Sequence, residues 1–262
     1  MKQYIVDAFT AVPGAGNPAA VCVMAAWPDD AVMQALAKKN GLSETAFLVR
    51  EGEGWRLRWF TPENEEVLCG HATLASSFVI LNYVEPGADA VLFYSRSGKL
   101  RVVRKDGRYE MDFPTFELTE IPVTDEMTKA FGVRPAKALL GLDLTCVFGT
   151  EEEVRTMVPD QALLEALPGR GQNVTAPGKD ADCVSRSFFP KDGIPEDPVC
   201  GSAHCQIAVY WAEVMKKPRI EAYQASSRGG TLYCELLGGG RIHISGEAAL
   251  ERIEELPAAL FQ

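Results

Sequence analysis

Ile194-Pro195-Glu196-Asp197-Pro198-Val199-Cys200-Gly201-Ser202-Ala203-His204-Cys205 is the stretch on which the reading of the fold turns. It reads as a loop that brings a carboxylate, a thiol and a hydroxyl to the start of a helix. The residues that follow, from Gln206 to Met215, are nearly all apolar. A helix apolar on every side is buried in a larger core. Its first turn offers free backbone N–H groups and the positive end of the dipole, which suit an anion. A sulfur at that position is biased toward thiolate.

The stretch has an echo half a chain earlier. Val67-Leu68-Cys69-Gly70-His71-Ala72 precedes a second apolar run, from Thr73 to Leu81, and Cys69, Gly70 and Ala72 match Cys200, Gly201 and Ala203. Similarity at that separation suggests two alike halves rather than a short-period solenoid. Two buried helices with facing N-termini would form one anion site between two domains.

Composition narrows the class. A chain of 262 residues with 47% hydrophobic content is one large globular domain or two ordinary ones. No apolar run reaches the roughly 18 residues of a membrane span. Met1-Lys2-Gln3-Tyr4 leads straight into a strand pattern, so no signal peptide is expected. A net charge of −10 argues against nucleic acid and anionic membranes as partners. Seven scattered cysteines without a CxxC pair fit reduced thiols in the cytoplasm better than a disulfide framework. The three histidines, His71, His204 and His243, are too few for a histidine-rich metal centre.

Residues 3–9 read as a strand, followed by Gly14-Ala15-Gly16. A dinucleotide loop would need a helix next, but Ala19–Met24 is strand-like, so the glycines mark a hairpin turn. Asp29 or Asp30 begins a helix to Lys39 that Gly41 stops. Glu44 heads an apolar strand, either partly desolvated or simply a solvated strand end. Residues 55–60 alternate at period two through the first five, and 61–66 form a turn with solvated acids. The first Cys-Gly helix runs to about Tyr83. Strands follow at 90–95, 98–105 and 108–113.

An irregular crossing from Phe113 to Phe116 places the domain boundary, giving lobes 1–115 and 116–262, with the last residues free to return to the first lobe. The second half carries strand patterns at 136–148, 171–176, 181–189, 219–224, 231–237 and 241–245. Glu151-Glu152-Glu153 opens a helical stretch, a favourable dipole position. Alternation in 241–245 points His243 toward water, and Gly238-Gly239-Gly240 makes a turn. Arg228-Gly229-Gly230 is also turn-like, or else brings an arginine to a substrate. The class is α+β: each half is a mostly antiparallel sheet rolled around one buried helix.

The chain has no P-loop, no Gly-x-Ser-x-Gly elbow, no HExxH and no zinc spacing. Cys200, His204 and Cys205 share one short segment and do not make a tetrahedral site. His204 reads as a buried, hydrogen-bonded histidine. Nothing marks a cofactor. What remains is acid–base chemistry by Glu44, His71, Asp197, Cys69 and Cys200, with helix N-termini holding a carboxylate. Either cysteine is also explicable as a small buried hydrophobe.

Gly16-Asn17-Pro18-Ala19-Ala20-Val21, Leu42-Ser43-Glu44-Thr45, Cys69-Gly70-His71-Ala72-Thr73, Ser185-Arg186 with Phe189-Pro190, Glu196 through His204, and Arg228-Gly229-Gly230 together resemble the phenazine-biosynthesis PhzF-like isomerase family, in the family's order. The resemblance implies a diaminopimelate-epimerase-like fold, with two pseudo-symmetric domains and the active site in the cleft between. It implies that Glu44 is the general acid/base, that His71, Asp197 and Ser202 surround the substrate, and that the amides of Gly70 and Gly201 cradle a carboxylate. The best-understood member moves a hydrogen on a dihydro-hydroxyanthranilate without a cofactor. A homodimer is expected from the family alone.

One position departs. Threonine is usual in the family where this chain has Cys200, whereas related amino-acid epimerases and racemases carry a cysteine at both equivalent positions, as Cys69 and Cys200 do here. The diaminopimelate epimerases among them carry asparagine where this chain has His71, and this chain keeps Glu44. Three readings therefore stand: a cofactor-independent PhzF-like isomerase acting on a small carboxylate-bearing metabolite, a two-cysteine racemase or epimerase, and a ligand-binding protein without catalysis.

Overall fold

The computed structural model describes residues 1–257. In chain order the first elements are β1 (Lys2–Ala8), β2 (Asn17–Met24), α1 (Asp30–Asn40), β3 (Glu44–Glu51), β4 (Gly54–Phe60), β5 (Glu65–Glu66), α2 (Gly70–Val79), β6 (Ala90–Ser95), β7 (Gly98–Lys105) and β8 (Arg108–Pro114). They continue as β9 (Thr119–Ile121), α3 (Asp125–Phe131), β10 (Lys137–Leu140), β11 (Leu144–Val147), α4 (Glu151–Thr156), α5 (Gln161–Glu165), β12 (Gln172–Pro177) and β13 (Cys183–Phe189). The last are β14 (Ile194–Asp197), α6 (Gly201–Met215), β15 (Arg219–Gln224), β16 (Gly230–Gly238), β17 (Arg241–Gly246) and β18 (Ala248–Glu255). The chain forms two compact units, Met1–Asp112 with a returning segment that begins at Ser245, and Phe113–Ile244.

The units repeat one plan. In the first, β18, β1 and β2 are antiparallel neighbours, β2 and β3 are parallel, β3 and β4 antiparallel, and β4 and β6 parallel. In the second, β9, β10 and β11 are antiparallel, β11 and β12 parallel, β12 and β13 antiparallel, and β13 and β15 parallel. Parallel neighbours need a crossover, and the equivalent crossovers hold α2 and α6. A short strand precedes each helix, β5 beside β4 and β14 beside β13. The match of Cys69-Gly70 to Cys200-Gly201 is thus a match of whole βαβ units.

Each sheet lies between two helical layers. In the first unit α1 covers one face with Met33 and Leu36 against Phe47 and Phe60, and α2 is buried along almost all its length. In the second, the outer face packs Met127, Phe131, Phe148 and Leu164 into one cluster, and α6 is the inner helix. Burial on both sides explains why the β3 and β12 runs do not alternate cleanly. The buried hydroxyls of Thr73, Ser76 and Ser77 on α2 donate to the carbonyls of Cys69, Ala72 and Thr73. That local bonding lets an otherwise apolar helix carry three hydroxyls into a core.

Most punctuation is where the sequence puts it. The glycines at 14 and 16 make the β1–β2 hairpin, and Gly14 donates to Asp7 Oδ2 at 2.8 Å. Gly41 caps α1 in the left-handed conformation. Thr150 and Glu153 form a reciprocal capping box, so the acidic run before α4 is structural. Four expectations change. Ile194–Asp197 is a strand rather than a loop, and 136–148 is a hairpin broken at Gly141–Asp143. Glu65 is not solvated but pairs with Arg58 at 2.7 Å, because β5 zips onto β4. His243 is half-buried instead of facing water. No helix among the described residues is long and apolar enough to cross a membrane.

Candidate active site

In the first unit the site is built from the head of β3 and the start of α2. Glu44 is the first residue of β3, with Thr45 buried behind it and held by Asn40. Cys69 is the N-cap residue of α2, Gly70 its first helical residue and His71 its second. This places Glu44 Oε2 3.0 Å from His71 Nε2, with side chains 12% and 7% exposed. His71 Nδ1 lies 3.5 Å from Cys69 Sγ. The Glu44–His71 approach is an ion-pair contact without hydrogen-bond alignment, and neither of the two atoms has another hydrogen-bond partner. Glu44 is therefore not a solvated strand end.

Electrostatics assign the protons. Burial pushes the Cys69 thiol up to about 11, and Glu44 adds to the rise while His71 opposes it. Burial works against a charge on His71, but Cys69 and Glu44 outweigh it and hold its pKa well above the ordinary histidine value. Within the trio a proton is thus favoured on both the imidazole and the thiol.

In the second unit Cys200 is the N-cap residue of α6, with Gly201 and Ser202 opening the helix. Cys200 Sγ is 3.3 Å from Ser202 Oγ, and Arg170 Nη2 donates to the same hydroxyl at 3.1 Å. Arg170 also makes a two-pronged pair with Asp143, Nε to Oδ1 at 3.0 Å and Nη2 to Oδ2 at 3.1 Å. Asp143 is fully buried and accepts from the Gly171 amide. Asp197 ends β14, and its carbonyl accepts from Gln224 Nε2, whose Oε1 accepts from the Cys200 amide.

The thiolate bias expected at the start of α6 is opposed by burial, which acts on Cys69 in the same sense. Burial raises Cys200 well above an ordinary thiol, with Asp197 adding to it against the weaker pull of Ser202 and Arg170. A helix dipole is worth less than the lost hydration of a buried thiolate. His204 is the buried, hydrogen-bonded histidine expected, with Nδ1 2.7 Å from the Cys200 carbonyl and Nε2 3.1 Å from Ser185 Oγ.

Three residues of this setting escape the sequence reading: Arg170, Asp143 and Gln224. A signal existed for the first. Arg170 lies between Gly169 and Gly171. A side chain at 169 would strike the backbone of Asp143 and Leu144, and one at 171 the ring of Phe189, over which the guanidinium sits at 4.9 Å. Arg186, by contrast, is absorbed in structure: it forks onto Glu196 and donates to the Val154 and Met157 carbonyls. As for metals, the one group of donors at ligand spacing among the described residues is Glu44, Cys69 and His71, within 4.8 Å of one another.

Comparison with known proteins accords with this architecture. The family model described as phenazine biosynthesis-like protein matches residues 6–253. An uncharacterized isomerase of Pseudomonas aeruginosa is 49% identical over 252 residues, covering 95% of this chain and 96% of the relative. A crystal structure of a phenazine biosynthesis protein of the PhzF family from Enterococcus faecalis is 47% identical, with a TM-score of 0.95 over 98% of both chains. A predicted epimerase from Pseudomonas aeruginosa, 23% identical with a TM-score of 0.73 over 97% of this chain and 98% of its own, shares the fold. With its repeated units, its two Cys-Gly helix starts and relatives named as isomerases across nearly its full length, the chain belongs to the phenazine biosynthesis-like PhzF family and to the isomerases at that level.

Proposed function

We propose that the protein is a cofactor-independent isomerase that relocates a proton on a small carboxylate-bearing substrate. Glu44 takes the proton from carbon and returns it elsewhere. His71, charged beside it, orients the carboxyl group and balances the charge it gains and loses. Gly70 and Gly201 offer helix-start amides to the substrate, and Ser202 and Asp197 are assigned to substrate contacts by their motif positions. The observation that carries the reading is the 3.0 Å approach of Glu44 to His71 in a nearly dry setting, where a carboxyl group can exchange a proton without competition from water.

The racemase reading has one observation in its favour: both thiols sit at equivalent helix N-caps. Against it, both are held protonated by burial. The test is deuterium incorporation from heavy water into a panel of small unsaturated and amino carboxylic acids, followed by NMR. General acid–base catalysis contributes about 10²–10⁴-fold, so Glu44→Gln should lose that factor while Cys200→Thr keeps its rate. Full exchange in Glu44→Gln, with loss in Cys69→Ala and Cys200→Ala, would replace this reading by the two-thiol one. Tight binding with no exchange for any acid would make the protein a binding module.

A further inference from the structure

We propose that Glu44, Cys69 and His71 also form a three-ligand site for a zinc-class divalent cation, and that filling it shuts off proton transfer. The second half rests on Glu44 being the proton carrier; the first does not.

One carboxylate oxygen, one thiol sulfur and one ring nitrogen lie within 4.8 Å of one another. Zinc takes these three donor types at about 2.0–2.3 Å, which puts tetrahedral ligands roughly 3.3–3.8 Å apart. The spacing of Glu44 Oε2 to His71 Nε2, 3.0 Å, falls just below that range; Cys69 Sγ lies 3.5 Å from the other ring nitrogen, Nδ1, and one donor atom from each of the three residues lies within 4.8 Å of the others. Rotation of the Cys69 side chain that brings its sulfur about 1 Å nearer the Glu44–His71 pair would complete the set. Glu44 Oε2 and His71 Nε2 are buried and, beyond their own ion-pair contact, have no hydrogen-bond partner. A buried ion pair with no further hydrogen bonds leaves lone-pair capacity unused; a cation in place of the proton between them would use it. The donors stand on rigid elements, the first residue of β3 and the cap and first turn of α2. No short spacing motif announces the site, because 24 residues of chain separate Glu44 from Cys69.

Binding replaces the Cys69 S–H bond by a sulfur–metal bond and releases that proton, with any proton on the ligating nitrogen, to solvent. Three protein ligands leave a fourth position for water. With its oxygen on the metal, Glu44 cannot accept hydrogen from carbon.

The experiment titrates metal-free protein with Co²⁺ and then competes Zn²⁺ against a chromogenic chelator. One equivalent of Co²⁺ should produce a thiolate-to-metal charge-transfer band, absent in Cys69→Ser and kept in Cys200→Ser. Losing a mere outer-shell partner costs about 10–100-fold in affinity, so His71→Asn should lose more than about 100-fold. Glu44→Gln serves as a further ligand deletion should Cys69→Ser not fold, as judged by circular dichroism. Zn²⁺ should abolish deuterium exchange and a chelator restore it. The site is refuted by absence of stoichiometric binding, or by a band that survives Cys69→Ser and vanishes in Cys200→Ser. Faster exchange with zinc refutes the blocking role. A normal band in a protein that never exchanges hydrogen leaves the site standing and sinks the Glu44 reading instead.

Discussion

His204 meets the Cys200 carbonyl through one nitrogen and Ser185 through the other, in full burial. The carbonyl can only accept, so Nδ1 carries the hydrogen and Nε2 accepts from the serine, which fixes a neutral ring. Burial lowers its pKa from 6.5 to about 4. His71 is pulled the other way, since Cys69 and Glu44 overcome its burial. The two therefore give opposite signs. For His204 the unfolded chain binds the proton more readily, so stability is lost as pH falls from about 6.5 to about 4, by roughly 3 kcal/mol. For His71 the folded state holds the proton more tightly, so its contribution is full below about 6.5 and fades as pH rises through the raised value. Urea midpoints across that range should show the gap between wild type and His204→Asn closing with acid, and the gap to His71→Asn closing with alkali. Identical pH slopes in all three proteins would refute the assignment. Glu44, Cys69 and His71 were legible because a motif fixes each. Arg170 and Asp143 were not, because a long-range fork between 143 and 170 leaves no periodicity; only the flanking glycines betray it.

At the scale of elements, α2 and α6 both begin with a cysteine whose side chain makes no capping hydrogen bond. A serine or threonine at the N-cap accepts from the second or third amide and is worth about 0.5–2 kcal/mol over a residue that cannot. The Cys200 backbone is already extended, φ −104° and ψ 105°, as a threonine cap requires. Cys200→Thr should therefore raise the free energy of unfolding by about 0.5–1 kcal/mol while leaving hydrogen exchange intact. A destabilised variant would show that the thiol's packing outweighs the cap, and an inactive one would return the two-cysteine chemistry to contention. The central helices were readable in the sequence as unbroken apolar runs after Cys-Gly. β14 and β9 were not, being short strands of four and three residues with charged side chains. Their pairing comes from neighbours already laid down, a tertiary effect that local propensity does not encode.

At the scale of the whole chain, the repeated plan closes on itself through β18. In the second unit β10 is flanked by β9, the strand that precedes it. In the first, the equivalent place beside β1 is taken by β18, more than two hundred residues away in sequence. Seven residues of β1 pair with β18, with one irregularity at Ile5/Val6, and Leu256 donates to the Met1 carbonyl at 2.7 Å. The strand escaped the sequence reading because Ala248–Glu255 carries four charges on a half-exposed edge and alternates poorly. Its physical role is nonetheless large. Without it β1, buried over six of its seven residues, becomes a long apolar edge with unpaired amides and carbonyls, the arrangement that sheets avoid because it invites pairing with other chains. A chain ending at Ile244 should thus lose the first unit selectively. Trp55 and Trp59 report on that unit and Trp211 on the second, all three being buried. Tryptophan emission should shift to the red in part, and limited proteolysis should leave a resistant core within Phe113–Ile244. A first unit that stays folded without the returning strand would mean that pairing of β1 with β2 alone suffices, and the closure would then be ornamental.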